Sequence, residues 1–379
     1  VFPRFLNLFT LVLTMTLAAG ASSLWARGLQ SSLQVESSIL NTERASASSP
    51  LMQLALLSEM SPSRKRTIPP LSESDADLRV PTQLRLLVFS PHPDDETLAT
   101  GGLIQRVLKQ GGTVRIVFMT NGDGFLDGVR AEFDIAEPTD HNYIEYGKMR
   151  QQEALKAVSQ LGLEEGDAIF LGFPDGGLDD LWAEHWSTLS PYTSPSTRWN
   201  YPAYSSCTTR SIKYSGKDLL DEMMRVMSSF SPDWVAFPDT RDTHPDHAAT
   251  GAFVLDALRR LRESGEPPFT ETQAFTYLVH YPLYPDSQGW MGLINKPQNA
   301  GFLPNSPSLS TTRWLTLTID SHELEGKRQA LACHETQIEP LQYLLIAFLK
   351  RYETFGHLRP NQIMEVPLDY AARFRRPKS

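Results

Sequence analysis

From Leu84 onward the chain alternates between short apolar runs and segments of helical spacing, and few architectures accept that rhythm. Strand-type runs are expected at Leu84 to Phe89, Thr113 to Thr120, Asp167 to Phe173, Trp234 to Phe237, Gln273 to Tyr281 and Arg313 to Ile319. Between and after them, helical spacing covers Thr97 to Gln110, Tyr143 to Leu161, Lys217 to Phe230, Asp246 to Arg262, Asp320 to Cys333 and Leu341 to Tyr352. Strands and helices in turn imply crossover connections, and so a mostly parallel sheet with helices on both faces. The expected fold class is therefore α/β, a doubly wound, Rossmann-like sheet spanning residues 83–375. Two stretches rich in Ser, Pro, Tyr and Trp break the rhythm, at 179–215 and 284–312, and read as inserted lids or binding walls.

Ahead of this domain, Arg4 is followed by an apolar run from Phe5 to Ala19 and then Ala19-Gly20-Ala21. That order reads residues 1–21 as a signal peptide or a membrane anchor, and either places the folded part in an exported setting, periplasmic, extracellular or membrane-anchored. Residues 22–82 are rich in Ser, Thr and Pro and read as a linker, with one short helix at Leu51 to Glu59. A net charge of −9 with no basic stripe argues against nucleic acid as a partner. The chain has two cysteines, Cys207 and Cys333; they could pair, but they exclude a cysteine-built zinc knuckle, so any metal must be held by His and carboxylate.

The first strand runs into Pro91-His92-Pro93-Asp94-Asp95-Glu96 and then a helix. The fourth is followed by Asp242-Thr243-His244-Pro245-Asp246-His247, which opens another helix. In an open parallel sheet ligands collect outside the carboxyl ends of strands, so both clusters belong to one edge. Together they offer His92, Asp95 and His247 as three metal ligands with a coordination position left open, the pattern of a catalytic zinc site. Asp94 is then free to take a proton from a metal-bound water acting as nucleophile, and His244 to stabilise the oxyanion or protonate the leaving amine.

At these residues the chain resembles the PIG-L/LmbE-like de-N-acetylases. His92-Pro93-Asp94-Asp95-Glu96 matches that family's first signature and His244-Pro245-Asp246-His247 its second. Weaker echoes follow in family order: Thr120-Asn121-Gly122, Arg150 with Glu153, Phe173-Pro174-Asp175-Gly176, and Lys327 through Gln337. The resemblance implies zinc, or another divalent metal, on His92, Asp95 and His247, with Asp94 as general base, His244 as electrophile or acid, and Asp246 orienting it. It implies a hydrolase that removes acetyl from an N-acetylglucosamine-type conjugate, so that the partner is an N-acetylated saccharide. A non-catalytic carbohydrate-binding protein on the same fold is the alternative. Arg150 is either a substrate contact or a solvated helix residue, Asp175 is read as a turn former with a pocket wall as the lesser alternative, and His141 and His334 as surface residues. Trp182, Trp186, Trp199, Tyr201 and Tyr204 make the first insert either a saccharide platform or a loop with its own small core.

Overall fold

The computed structural model describes residues 76–265, 268–280 and 309–364. The N-terminal apolar run, the linker up to residue 75 with its expected helix, and residues 284–308 of the second insert lie outside the described residues.

Seven strands of the described residues form one sheet. They are β1 (Arg85–Ser90), β2 (Thr113–Thr120), β3 (Ala168–Phe173), β4 (Trp234–Pro238), β5 (Gln273–Tyr277), β6 (Arg313–Thr318) and β7 (Tyr352–Leu358). Their spatial order is β3-β2-β1-β4-β5-β7-β6. β1 to β5 run parallel, while β7 lies antiparallel to both β5 and β6. The helices are α1 (Asp95–Lys109), α2 (Leu126–Phe133), α3 (Asp140–Gln160), α4 (Leu178–Ala183), α5 (Gly216–Phe230), α6 (Pro245–Glu263), α7 (Ser321–Leu331), α8 (Glu335–Ala347) and α9 (Pro360–Met364). None of the described helices is long and apolar enough to cross a membrane.

Side chains alternate across a strand, and β1 shows what that does here. Leu86 and Val88 enter one hydrophobic cluster with Ile116 and Phe118, whereas Leu87 and Phe89 enter the other with Val117 and Met119. Both faces are buried, which is why these strands read as continuous apolar runs instead of alternating ones. β2 lies on one side of β1 and β4 on the other. The chain thus reverses its winding between β1 and β4, opening a crevice at their carboxyl ends.

Several elements differ from the sequence reading, which contained neither β7 nor the short helices α2, α4 and α9. The strand expected at Gln273 to Tyr281 stops at Tyr277, and the helix expected at Leu341 to Tyr352 is α8, which starts at Glu335 and ends at Ala347. β7 was hidden because polar residues and a glycine interrupt its apolar ones, and one of them, Glu353, is 3% exposed. Glu353 accepts the backbone N–H of Gly102 at 2.7 Å and of Leu103 at 2.8 Å, and it pairs with Lys327 Nζ at 2.8 Å. A buried charge is tolerated only when so compensated, and no local pattern announces the compensation.

Glu353→Ala leaves the buried Lys327 ammonium without a counter-charge and is expected to cost about 3–5 kcal/mol in urea unfolding. Replacing Lys327 and Glu353 together by Met should recover most of that loss. A single variant as stable as wild type would show that the pair does not hold α7 and β7 to α1.

Candidate metal centre and active site

The crevice is lined by the turn after β1 and the loop after β4. The β1 turn is tied to itself: Ser90 Oγ donates to the His92 carbonyl at 2.7 Å, and Asp95 Oδ2 accepts the His92 backbone N–H at 3.1 Å. Asp94 caps α1 with φ 135°, a region that non-glycine residues rarely occupy, and strain of this sort is typical of functional turns. In the second loop Pro245 takes the first position of α6, where its missing N–H costs nothing. His244 caps that helix, its Nδ1 accepting the Asp246 backbone N–H at 3.3 Å.

The two loops meet. Asp95 Oδ2 lies 3.1 Å from His92 Nδ1 and 3.1 Å from His247 Nε2. Three groupings have ligand atoms within 4.8 Å of one another: His92 with His244 and His247, Asp95 with His247 and His280, and His92 with Asp175 and Asp246. The ring centroids of His92, His244 and His247 are 4.8 to 5.2 Å apart. Behind the inner donors stand carboxylates: Asp242 Oδ2 is 3.5 Å from His247 Nδ1, and Asp175 Oδ1 and Asp246 Oδ2 are 3.1 and 3.2 Å from His92 Nε2. Carboxylates at the far nitrogen of a ligating imidazole are a common support for a bound metal.

These residues fit a divalent cation. His247 is fully buried, yet neither ring nitrogen makes an aligned hydrogen bond, although Asp95 Oδ2 is within charge distance of Nε2. A buried imidazole left that way is the mark of a position shaped for something other than an N–H···O bond. Charge agrees. Burial opposes the ionised Asp95, but His247 and His92 outweigh it and hold that carboxyl well below its usual range. Burial likewise opposes Asp242 and Asp175, which neighbouring histidines hold low. Burial lowers His247, yet Asp95 and Asp242 carry it to about 9, and burial of His92 is overridden chiefly by Asp175. The pocket thus holds more buried negative charge than it can leave unbalanced, and a divalent cation satisfies it as well as protonated imidazoles do.

Asp94 stands apart from that set. Its Oδ2 accepts from Arg150 Nη2 at 3.0 Å, while Arg150 also donates to the Pro93 carbonyl at 2.6 Å and the Gly122 carbonyl at 3.0 Å. Gly122 has φ +64° and lies so close to the guanidinium that a Cβ there would fall 1.9 Å from Arg150 Nη1. Burial pushes Asp94 up, Arg150 pulls it back, and the balance stands at about 7. His244 is lowered to about 4, first by burial and then by His92 and His247.

Arg150, half expected as a solvated residue, is 3% exposed and committed to the Asp94 turn. Asp246 does not orient His244 with its carboxylate; that group faces His92 and accepts the backbone N–H of Gly176 at 2.7 Å and Leu178 at 2.9 Å. Asp175, read as a turn former, is carried onto His92 by that same clamp. His141 is exposed as expected, but His334 is fully buried, its Nε2 3.6 Å from Glu96 Oε1. Cys207 and Cys333 are both free thiols. In the first insert Trp182 and Trp186 pack on Phe253 of α6, and Tyr204 is buried with its hydroxyl donated to Asp123. Only Trp199 and Tyr201 of that aromatic group are well exposed, at 37% and 40%. Sequence reasoning gave no role to Asp242, although it stands in the quoted cluster, nor to His280. The position of His280 just past β5, at the same sheet edge, was the available signal.

Fold and site together define a class: a doubly wound α/β protein with a buried His/carboxylate cluster at its topological switch point. Residues 87–258 match the family model described as PIG-L, GlcNAc-PI de-N-acetylase. Among curated relatives, the 1D-myo-inositol 2-acetamido-2-deoxy-alpha-D-glucopyranoside deacetylase of Nocardia farcinica is 28% identical over 67% of this chain and 80% of its own length. The protein of the same name from a Mycobacterium species (strain KMS) is 27% identical over 67% of this chain and 74% of its own. A solved structure, the N,N'-diacetylchitobiose deacetylase of Pyrococcus horikoshii, superposes with TM-score 0.42 at 19% identity, covering 75% of this chain and 87% of that one.

Asp242 Oδ2 stands 3.5 Å from the far nitrogen of His247, so Asp242→Ala is expected to weaken divalent-metal affinity roughly 10–100-fold in isothermal titration of the metal-free protein. An unchanged Kd would show that Asp242 does not support the imidazole.

Proposed function

We propose that the protein is a metal-dependent N-deacetylase that cleaves the acetamide of an N-acetylglucosamine-type conjugate, yielding acetate and the free amine. The observation that carries this reading is Asp94: a buried carboxylate, held by Arg150 beside the cation cluster and outside the donor set of His92, Asp95 and His247. Mere binding of a saccharide does not call for such a group, whereas amide hydrolysis needs a base at that place. The relatives named as deacetylases of a 2-acetamido sugar support the substrate class.

A divalent cation on His92, Asp95 and His247 would supply Lewis-acid activation of the amide carbonyl and of the attacking water. Asp94 accepts the proton that this water loses. Its strained backbone and its bonds to Arg150 keep the carboxylate aimed without contributing it to the cation. His244 is the oxyanion partner. Its Nδ1 accepts the Asp246 amide hydrogen, which leaves the imidazole proton on Nε2, and a ring lowered to about 4 is neutral near pH 7. A neutral N–H at that place donates to developing negative charge without needing to ionise first. The protonated Asp94 is then the group that returns a proton to the departing amine.

Acetate and free amine released from chito-oligosaccharides, N-acetylglucosaminyl inositol and peptidoglycan fragments, with and without chelator, test this reading. Acetate is expected from at least one of these, and its loss on chelation with recovery on added zinc. Asp94→Asn is expected to lower turnover by about 10²–10⁴-fold while keeping full metal content. Turnover by that variant equal to wild type would reject Asp94 as the base, and absence of acetate from all three classes would reject the substrate.

A further inference from the structure

Among the described residues, the cation cluster has more donors than one catalytic site uses. The donor atoms of Asp95, His247 and His280 lie within 4.8 Å of one another, so this triad shares two members with the sequence-expected set of His92, Asp95 and His247, in which Asp95 Oδ2 is 3.1 Å from a nitrogen of each histidine. His280 is brought there with some precision. Its backbone N–H donates to Asp242 Oδ2 at 3.0 Å, beside that of Val279 at 2.8 Å, and its carbonyl accepts the Thr243 hydroxyl. The same Asp242 carboxylate faces His247 Nδ1 at 3.5 Å. One carboxylate therefore anchors the backbone of His280 and lies against the His247 ring, and the two imidazoles have ring centroids 4.7 Å apart in an edge-to-face arrangement. The His280 ring also lies 5.1 Å from that of His244, closing a row of histidines along the lip of the crevice.

We propose that His280 is a further protein donor of this metal centre, and that a divalent cation can occupy either of two overlapping triads, His92–Asp95–His247 or Asp95–His247–His280. The inference rests on the metal-dependent reading above. Both positions offer two imidazoles and one carboxylate, the donor chemistry that suits zinc. Because Asp95 and His247 are common to both, the positions are exclusive: two cations would have to divide those donors while repelling each other at short range. The cation is thus held from the β1 and β4 loops in one position and from the α1 start, α6 and the β5 end in the other. In the second position His280 would replace His92 as the third donor.

Zinc binding to the metal-free full chain, measured by equilibrium dialysis with metal analysis, tests this independently of activity. Wild type and His280→Ala are each expected to bind one equivalent. His92→Ala is expected to bind one equivalent at least about tenfold more weakly, and His92→Ala combined with His280→Ala to show no saturable binding. A double variant that binds zinc as His92→Ala does, or a His92→Ala that binds none, overturns the second triad and leaves the catalytic reading intact. Wild type that binds no divalent cation overturns both. Nitrogen NMR of the histidine rings in the wild-type chain needs no substitution. On zinc addition the His280 ring nitrogen should shift along with those of His92 and His247, and a His280 signal that stays in place while the others move rejects the proposal.

Discussion

The site turns on one oxygen atom. Asp95 Oδ2 is equidistant from His92 Nδ1 and His247 Nε2, and those histidines come from the turn after β1 and the start of α6, far apart in the chain. Each of the three side chains is buried, so in the absence of a compensating charge this arrangement would be costly. The sheet makes it affordable: β1 and β4 are neighbours, and their carboxyl ends present the two loops side by side. Asp242 then lies against the far side of the His247 imidazole, and Asp175 and Asp246 against that of His92.

Asp94 needs the opposite treatment from Asp95, although they are adjacent. Asp95 is held ionised by histidines, while Asp94 is raised to about 7 because burial outweighs the help of Arg150. Two neighbouring carboxyls with divergent environments are a familiar route to divided roles, one electrostatic and one proton-transferring. The division is geometric at root. With φ 135° at Asp94, successive side chains leave the turn toward different neighbours, one toward α3 and Arg150, the other toward α6 and His247.

Much of this was legible in the sequence because it is local. A strand buried on both faces is a run of apolar residues, and the turn after it announces itself with His92, Asp94 and Asp95 in close order. The expected sheet of mostly parallel strands is what the structure has, and both motifs reach one edge of it. What could not be read is what depends on partners distant in sequence. β7 was not foreseen because Glu353 belongs in a strand only once Lys327 and the amides of α1 surround it. His334 looked like a surface residue because nothing nearby foretells its burial against Glu96. Arg150 had the spacing of an exposed helix position, and only the fold of the Thr120 to Gly122 turn brings carbonyls and Asp94 to its guanidinium.

The family match ends at residue 258, yet the site is completed from beyond it. Glu96 accepts the Asp94 backbone N–H at 3.0 Å and so bears on the strained turn, and the residue against Glu96 is His334, at the start of α8. Two residues on, Thr336 donates its backbone N–H and hydroxyl to Glu153 at 2.8 and 2.7 Å, and Gln337 donates to the Tyr146 hydroxyl at 2.7 Å. Glu153 and Tyr146 belong to α3, the helix that carries Arg150. The segment from His334 to Gln337 therefore braces both halves of the Asp94 environment, the turn that bears the carboxyl and the helix that bears its guanidinium. His280 adds an imidazole from the end of β5 in the same way. The matched region supplies the reactive groups, and the later strands and helices hold them rigid, which is why an echo as plain as Lys327 through Gln337 can matter to the chemistry without touching it.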